Sequence, residues 1–190
     1  MGVLLLLANK AQFVDNPSVN NTIENSNPDP ETPDKRRFKP RVTVATIVAH
    51  PSDAALPLAA RRFLFVEEWI GAEIRLNQPA GHLDPNESLA DAAVRETLEE
   101  TAWEVALEHL VAVYQYQTAE RVFVRFTYAA KALQQTSGKL DAGIIQALWL
   151  TRAELIAHAS PMRSPMVLQG LDLYLAGARH PLDVLQAVNL

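Results

Sequence analysis

The chain of 190 residues contains no cysteine. That one absence excludes a disulfide framework, a thiolate zinc site and thiol catalysis. No stretch comes near the roughly 18 apolar residues that a membrane-spanning helix needs. Positive charge is also short, with 17 basic against 22 acidic residues and a formal charge of −5. A protein that binds phosphate backbones at large carries the opposite balance, so no nucleic-acid polymer is expected as partner. The phosphate-cradling loop ending in Gly-Lys, the Gly-x-Ser-x-Gly elbow and the Gly-x-Gly-x-x-Gly fingerprint are missing as well. Kinase-like, esterase and dinucleotide-fingerprint readings therefore lose their support. Internal repeats are lacking too. What is present is 48% hydrophobic and 21% charged, the balance of one globular domain with room for a tail. We expect a soluble, cytoplasmic protein that does not engage membranes.

The chain opens on a short apolar run, Val3 to Ala8, with no basic residue before it. A secretory signal needs a core of roughly 7–15 apolar residues behind a positive start, so export is not expected. The run reads as a sticky terminus or an over-extended reading frame. From about Asn16 to Pro40 the composition changes, and Asn25 to Asp34 is rich in proline, asparagine and acid. Such a segment cannot bury enough surface to offset its ordering entropy. We assign residues 1–37 to a disordered leader, 38–178 to the domain and 179–190 to a C-terminal tail. The basic cluster Lys35, Arg36, Arg37, Lys39 and Arg41 reads as a solvated entry to the domain.

Within the domain, Val42–Val48, Arg62–Val66, Arg75–Pro79, Leu110–Tyr116, Val122–Ala129 and Gln146–Leu150 read as strands. Ser88 to about Ala102 reads as a helix capped by Ser88, with Asp91 as its acidic partner. Thr151 and Glu154 form a capping box for a short helix, and Ser164-Pro165 starts a last helix toward Ala178. The order predicts an α/β protein, a mixed sheet with helices on both faces.

The helix from Ser88 breaks local rules. At about 100° per residue, Val94, Leu98 and Thr101 share one side, which we expect to pack on the sheet. Glu96, Glu99 and Glu100 converge on the other side, where like charges at these spacings cost roughly 0.2–0.5 kcal/mol per pair. They also lie toward the C-terminal end of the helix, where its dipole disfavours anions. Arg95 relieves only part of this through Glu99. A run of charges on a helix is ordinarily a solvated face; Gly81, with Glu87 behind it, argues otherwise here. Glycine allows close backbone approach, so its carbonyl can join carboxylates around a hard cation such as Mg²⁺.

Gly81, five residues, Glu87, seven residues and then Arg95-Glu96-x-x-Glu99-Glu100 resembles the Nudix box at every fixed position. Thr97 stands where an aliphatic residue is common, and Ala102 replaces the glycine near the end. The resemblance to bacterial phosphatases of this family extends through Phe38–Ala45, Phe65–Glu68, Asn77–Leu83 and Arg163–Pro165. It runs from about residue 38 to 176. It implies the Nudix-type α/β/α sandwich with a central mixed sheet. It also implies Mg²⁺-dependent hydrolysis, with Mn²⁺ as a substitute, by water attack at phosphorus. Nucleoside di- and triphosphates or thiamine-pathway pyrophosphates are the implied substrates.

Carried over by residue, the resemblance makes the Gly81 carbonyl, Glu96, Glu99 and Glu100 metal ligands. Glu87 becomes an outer member of the site, Arg95 orients a glutamate, and Glu96 is the candidate base. Arg163, Glu68, Asn77, Gln78 and His82 are the candidate substrate contacts. Tyr114, Tyr116, Phe123, Phe126 and Trp149 read as strand core first and as stacking surfaces second. Two alternatives stay open: an ADP-ribose or dinucleotide pyrophosphatase, and a non-catalytic ligand-binding module, whose mark would be a degraded carboxylate set. The partner is a small phosphate ester, and the assembly a monomer or homodimer.

Overall fold

A computed structural model describes residues 39–188. The expected leader, with the apolar run and most of the basic cluster, lies outside the described residues. β1 (Arg41–Ala49), β2 (Phe63–Ile70), β3 (Glu73–Asn77) and β4 (Ala80–His82) precede α1 (Leu89–Thr101). β5 (Trp103–Gln117), β6 (Val122–Gln135) and β7 (Ile144–Leu150) follow, then α2 (Arg152–Ala157) and α3 (Met166–Leu175). The sheet runs β3-β2-β1-β6-β5, with β4 paired to β1 and β7 to β2. β1 and β6 are parallel along their length, and the other pairs are antiparallel, so the sheet is mixed.

The apolar residues of the strands alternate between two layers. Ile47, Phe63, Phe65 and Ala129 pack with Leu155 of α2 and Val167, Leu171 and Tyr174 of α3. On the opposite face Val44 and Tyr128 pack with Ala92 and Ala93 of α1. The result is a helix–sheet–helix sandwich. Leu182 and Leu185, in the expected tail, lie against the α1-side cluster, and His180 bridges to Leu110. Among the described residues no helix is long and apolar enough to cross a membrane.

Several boundaries differ from the sequence reading. β5 starts at Trp103 and β6 runs to Gln135, because the two pair continuously past three irregularities. Periodicity is lost at such bulges, which hid their outer halves. The third strand ends at Asn77, two residues before Pro79, whose carbonyl accepts from Thr46 N–H at 3.0 Å; β4 then starts at Ala80 on β1 instead of β2. α3 stops at Leu175, where the chain turns out through Gly177 at φ 93°. The Ser88 cap and the Thr151–Glu154 capping box both form.

The buried face of α1 also differs from the expectation. Leu98 is 37% exposed, while Ala92, Ala93, Thr97, Glu100 and Thr101 are buried. Thr97 takes the inward position because its hydroxyl bonds Thr46 of β1 at 2.7 Å and donates to the Ala93 carbonyl at 2.7 Å. The helix therefore rolls Glu96 and Glu100 toward the sheet and leaves Leu98 outside. It ends on Ala102 at φ 58° and ψ 20°, the left-handed cap that favours glycine. Ala102→Gly should therefore raise stability by up to about 1 kcal/mol, read as a higher urea midpoint at unchanged slope.

Candidate metal and phosphate site

The site forms where β4 passes α1. Gly81 pairs with Val44 of β1, and its backbone lies so close to Glu96 that a Cβ at this position would overlap the carboxylate. Only glycine leaves this space. Two residues C-terminal of the sheet's Pro79 break, the chain thus sets a bare peptide against an acidic side chain. One helical turn on, Glu100 is 7% exposed and its Oε2 accepts from the Ala80 N–H at 2.8 Å. Burial pushes the Glu100 carboxyl up to about 8, against the Ala80 hydrogen bond and with repulsion from Glu68 and Glu96 adding to the rise. Burial likewise raises Glu96, opposed by Arg95 and reinforced by Glu99 and Asp141.

Arg95 is the hub of the outer acids. Its Nε and Nη2 fork onto Glu87 at 3.0 and 2.6 Å, and its Nη1 donates to Glu96 and to Glu99 at 2.9 Å each. Nη2 also reaches the His82 carbonyl at 3.1 Å. The guanidinium holds Glu87 below the usual carboxylate range, and Glu87 in turn keeps Arg95 charged. Glu87 also accepts from the Asp84 N–H at 2.7 Å, which ties the loop after β4 to α1. Glu99 has its carboxylate on Arg95 and is the most exposed of the three helix acids.

Among the described residues no three acidic or histidine side chains already converge on one point. Two observations nonetheless fit a hard divalent cation. The missing Cβ of Gly81 is a cradle for the Glu96 carboxylate, and the donors gathered there are all oxygens. Glu100, buried without a cationic partner within ion-pair distance among the described residues, is held protonated at neutral pH, and such a cation would supply the charge that lets it ionise.

Glu96 and Glu100 form one wall of a cavity of about 490 Å³ that also meets Gly81, His82, Asn77 and Arg163. His82 is kept below its ordinary pKa by partial desolvation and by the nearby arginines Arg41, Arg163 and Arg121. Arg163, on the turn before α3, forms an ion pair with Glu68. Glu68 is buried and also accepts from Asn77 Nδ2 at 3.0 Å, so it orients two cavity residues from behind. Its neighbour Glu67 is buried as well, bonded by Ser160 and Gln146 at 2.6 and 2.7 Å. Gln78 is 1% exposed and spends its amide on the Val167 carbonyl and on Arg125. Glu68, Gln78, Glu87 and Arg95 thus stand outside the cavity lining, one contact from it, and Glu99 stands behind Arg95.

Of the aromatic residues, Tyr116 and Phe123 line the cavity. Trp149 packs edge-on to Trp103 and His50, and Phe126 joins the α1-side core. Sequence reasoning missed Arg125, which lines the cavity at 5% exposure. The signal was there: Arg125 is the one charged residue in Val122–Ala129, a strand apolar on both faces, where a charge is seldom buried unless paired.

The profile of the family described as NUDIX domain matches residues 39–168. The chain is 36% identical over 154 residues to phosphatase NudJ of Escherichia coli K12, an alignment covering 80% of this chain and 94% of that protein. A NUDIX hydrolase structure from Nitrosomonas europaea superposes with a TM-score of 0.71 at 38% identity, covering 79% of this chain and 98% of that one. The NUDIX domain of Shewanella oneidensis NrtR, solved with ADP ribose, superposes at 0.57 with 17% identity over 76% and 92% of the two chains, a likeness of fold alone.

Proposed function

The chain belongs to the Nudix family, hydrolases of phosphoric anhydrides that use divalent cations, and from that premise we propose that it is a Mg²⁺-dependent phosphohydrolase of nucleoside di- and triphosphates or thiamine-pathway pyrophosphates. The observation that carries this reading is the contact between the Gly81 peptide and the Glu96 carboxylate beside buried Glu100. The Gly81 carbonyl, Glu96, Glu99 and Glu100 would hold the ion. When bound, it supplies neutralisation of phosphate oxygens and a lowered pKa for water at phosphorus.

The chain's own groups do the rest. Water attacks the phosphorus, the new O–P bond forms as the bridging P–O bond breaks, and the proton passes to Glu96. A carboxyl group raised by burial is a better proton acceptor than an exposed one. Arg95 keeps Glu96 aimed while pinning the loop through Glu87. Arg163, held by Glu68, offers a fork to a phosphate, and His82 and Asn77 meet the substrate at the cavity wall. We assign this work to the cytoplasm.

A release assay over nucleoside phosphates and thiamine-pathway pyrophosphates tests the reading. Orthophosphate is expected with Mg²⁺, falling to background with a chelator and returning with excess Mg²⁺ or Mn²⁺. Two phosphate-bearing fragments from ADP-ribose, without orthophosphate from nucleotides, would assign the dinucleotide-type activity instead. No turnover of any of them would leave a binding module.

A further inference from the structure

Arg125 carries a positive charge that, among the described residues, no carboxylate meets within ion-pair distance. Among the described residues it forms no ion pair, its Nη2 donates to the Gln78 side-chain Oε1 at 3.0 Å, and its Nε has no hydrogen-bond partner. Burial lowers its pKa to about 10, with Arg163 adding repulsion and the more distant Glu100, Tyr114 and Glu68 opposing the fall, so it stays charged at neutral pH. A buried cation without a directly paired counter-charge is destabilising unless something else meets it.

The sheet register shows what surrounds it. Phe123, Arg125 and Thr127 alternate onto one face of β6. Arg125 stands opposite Thr43 of β1, which stands opposite His82 of β4; on the other side it faces Tyr114 of β5, while Phe123 faces Tyr116. Thr43, His82, Phe123 and Tyr116 all line the cavity with Arg125. The row from His82 through Thr43 to Arg125 is therefore a floor, continuous with the wall that carries Glu96 and Glu100. Ser164, on the same cavity, has a buried hydroxyl that also lacks a partner. Arg125 and Ser164, which both line this pocket of about 490 Å³, each carry a buried donor without a partner.

We propose that Arg125 is a substrate-binding residue that receives a phosphate oxyanion at the floor of the cavity, assisted by the Ser164 hydroxyl, with Phe123 and Tyr116 bordering the organic part of the substrate. An oxyanion is the ligand chemistry that answers a buried guanidinium best, because it returns both the missing charge and the missing hydrogen bonds. The assignment rests on the phosphohydrolase reading but adds a residue outside the glutamate-bearing segment. Arg163, already paired with Glu68, then serves the mouth, and Arg125 the interior.

The test uses the full chain in Mg²⁺ buffer, with inorganic pyrophosphate binding read by melting and a nucleoside diphosphate read by turnover. Wild type should melt at a higher temperature with saturating pyrophosphate. Arg125→Met should keep or exceed the unliganded wild-type midpoint, lose the pyrophosphate shift, and raise KM at least tenfold with a smaller change in kcat. Arg125→Lys, which keeps charge without the fork, should fall between them. A lowered midpoint in Arg125→Met with the pyrophosphate shift and KM intact would make Arg125 structural and overturn the proposal. So would a wild-type midpoint that pyrophosphate does not move. An inactive wild type whose pyrophosphate shift vanishes in Arg125→Met would defeat the hydrolase reading and sustain the binding role.

Discussion

Glu100→Gln is expected to raise the thermal midpoint by about 5 °C in chelator-containing buffer at pH 8, and to cut Mg²⁺-supported turnover by more than ~100-fold. The first effect follows from burial. The Glu100 carboxyl is pushed up to about 8, against 4.5 for an ordinary glutamate. Between those values the folded protein holds a proton that the unfolded chain has released. Stability from this group is then complete below about pH 4.5 and is lost as pH rises toward 8, at roughly 1.4 kcal/mol per unit. Glutamine carries no charge to desolvate and still offers an oxygen to the Ala80 N–H. The gain over wild type should therefore shrink as the pH is lowered to 5, which melting curves at the two pH values will read. The loss of turnover has a separate origin, since glutamine is a poor replacement for an anionic ligand of a hard cation. Gain of stability and loss of function from one substitution is the pattern of a residue kept for chemistry.

Gly81→Ala should reduce kcat/KM by roughly 100-fold while leaving far-UV circular dichroism unchanged and moving the thermal midpoint by only about 2–4 °C. A Cβ at this position collides with the Glu96 carboxylate, which is the free end of a flexible side chain and can swing aside. The fold survives this; the position of the candidate base and ligand does not. A larger residue at Gly71 makes the comparison, since that turn has open space around it but a φ of 63°. Substitution there strains the backbone and should cost stability without touching turnover.

Much of this architecture was legible in the residues. The alternating apolar strands, the Ser88 cap and the Thr151–Glu154 capping box are local devices, and each forms where its side chains predict. So did the departure from local economy on α1, three acids crowded in one turn, which marks the helix as something other than a solvated surface. What escaped was set by tertiary partners. The roll of α1 depends on Thr97 meeting Thr46, fifty-one residues away, and no helical period shows that pairing. β4 is three residues long and exists only because β1 offers an edge beside it. Glu67 and Glu68 continue the strand expected to end at Val66, and Ser160, Gln146, Asn77 and Arg163 supply the partners that let them be buried. Gln78, a candidate substrate contact in the sequence, has its amide taken up by Val167 and Arg125.

Direct titration of the metal-free protein with Mn²⁺, followed by calorimetry and by the electron-spin signal of the free ion, reaches the centre of this account. Wild type should take up the ion saturably, Gly81→Ala and Glu96→Gln should take it up at least tenfold more weakly, and Glu73→Gln, far along the sheet, should match wild type. Equal uptake by wild type and Glu96→Gln, or no saturable uptake by wild type, would contradict the claim that these carboxylates are gathered around a divalent cation.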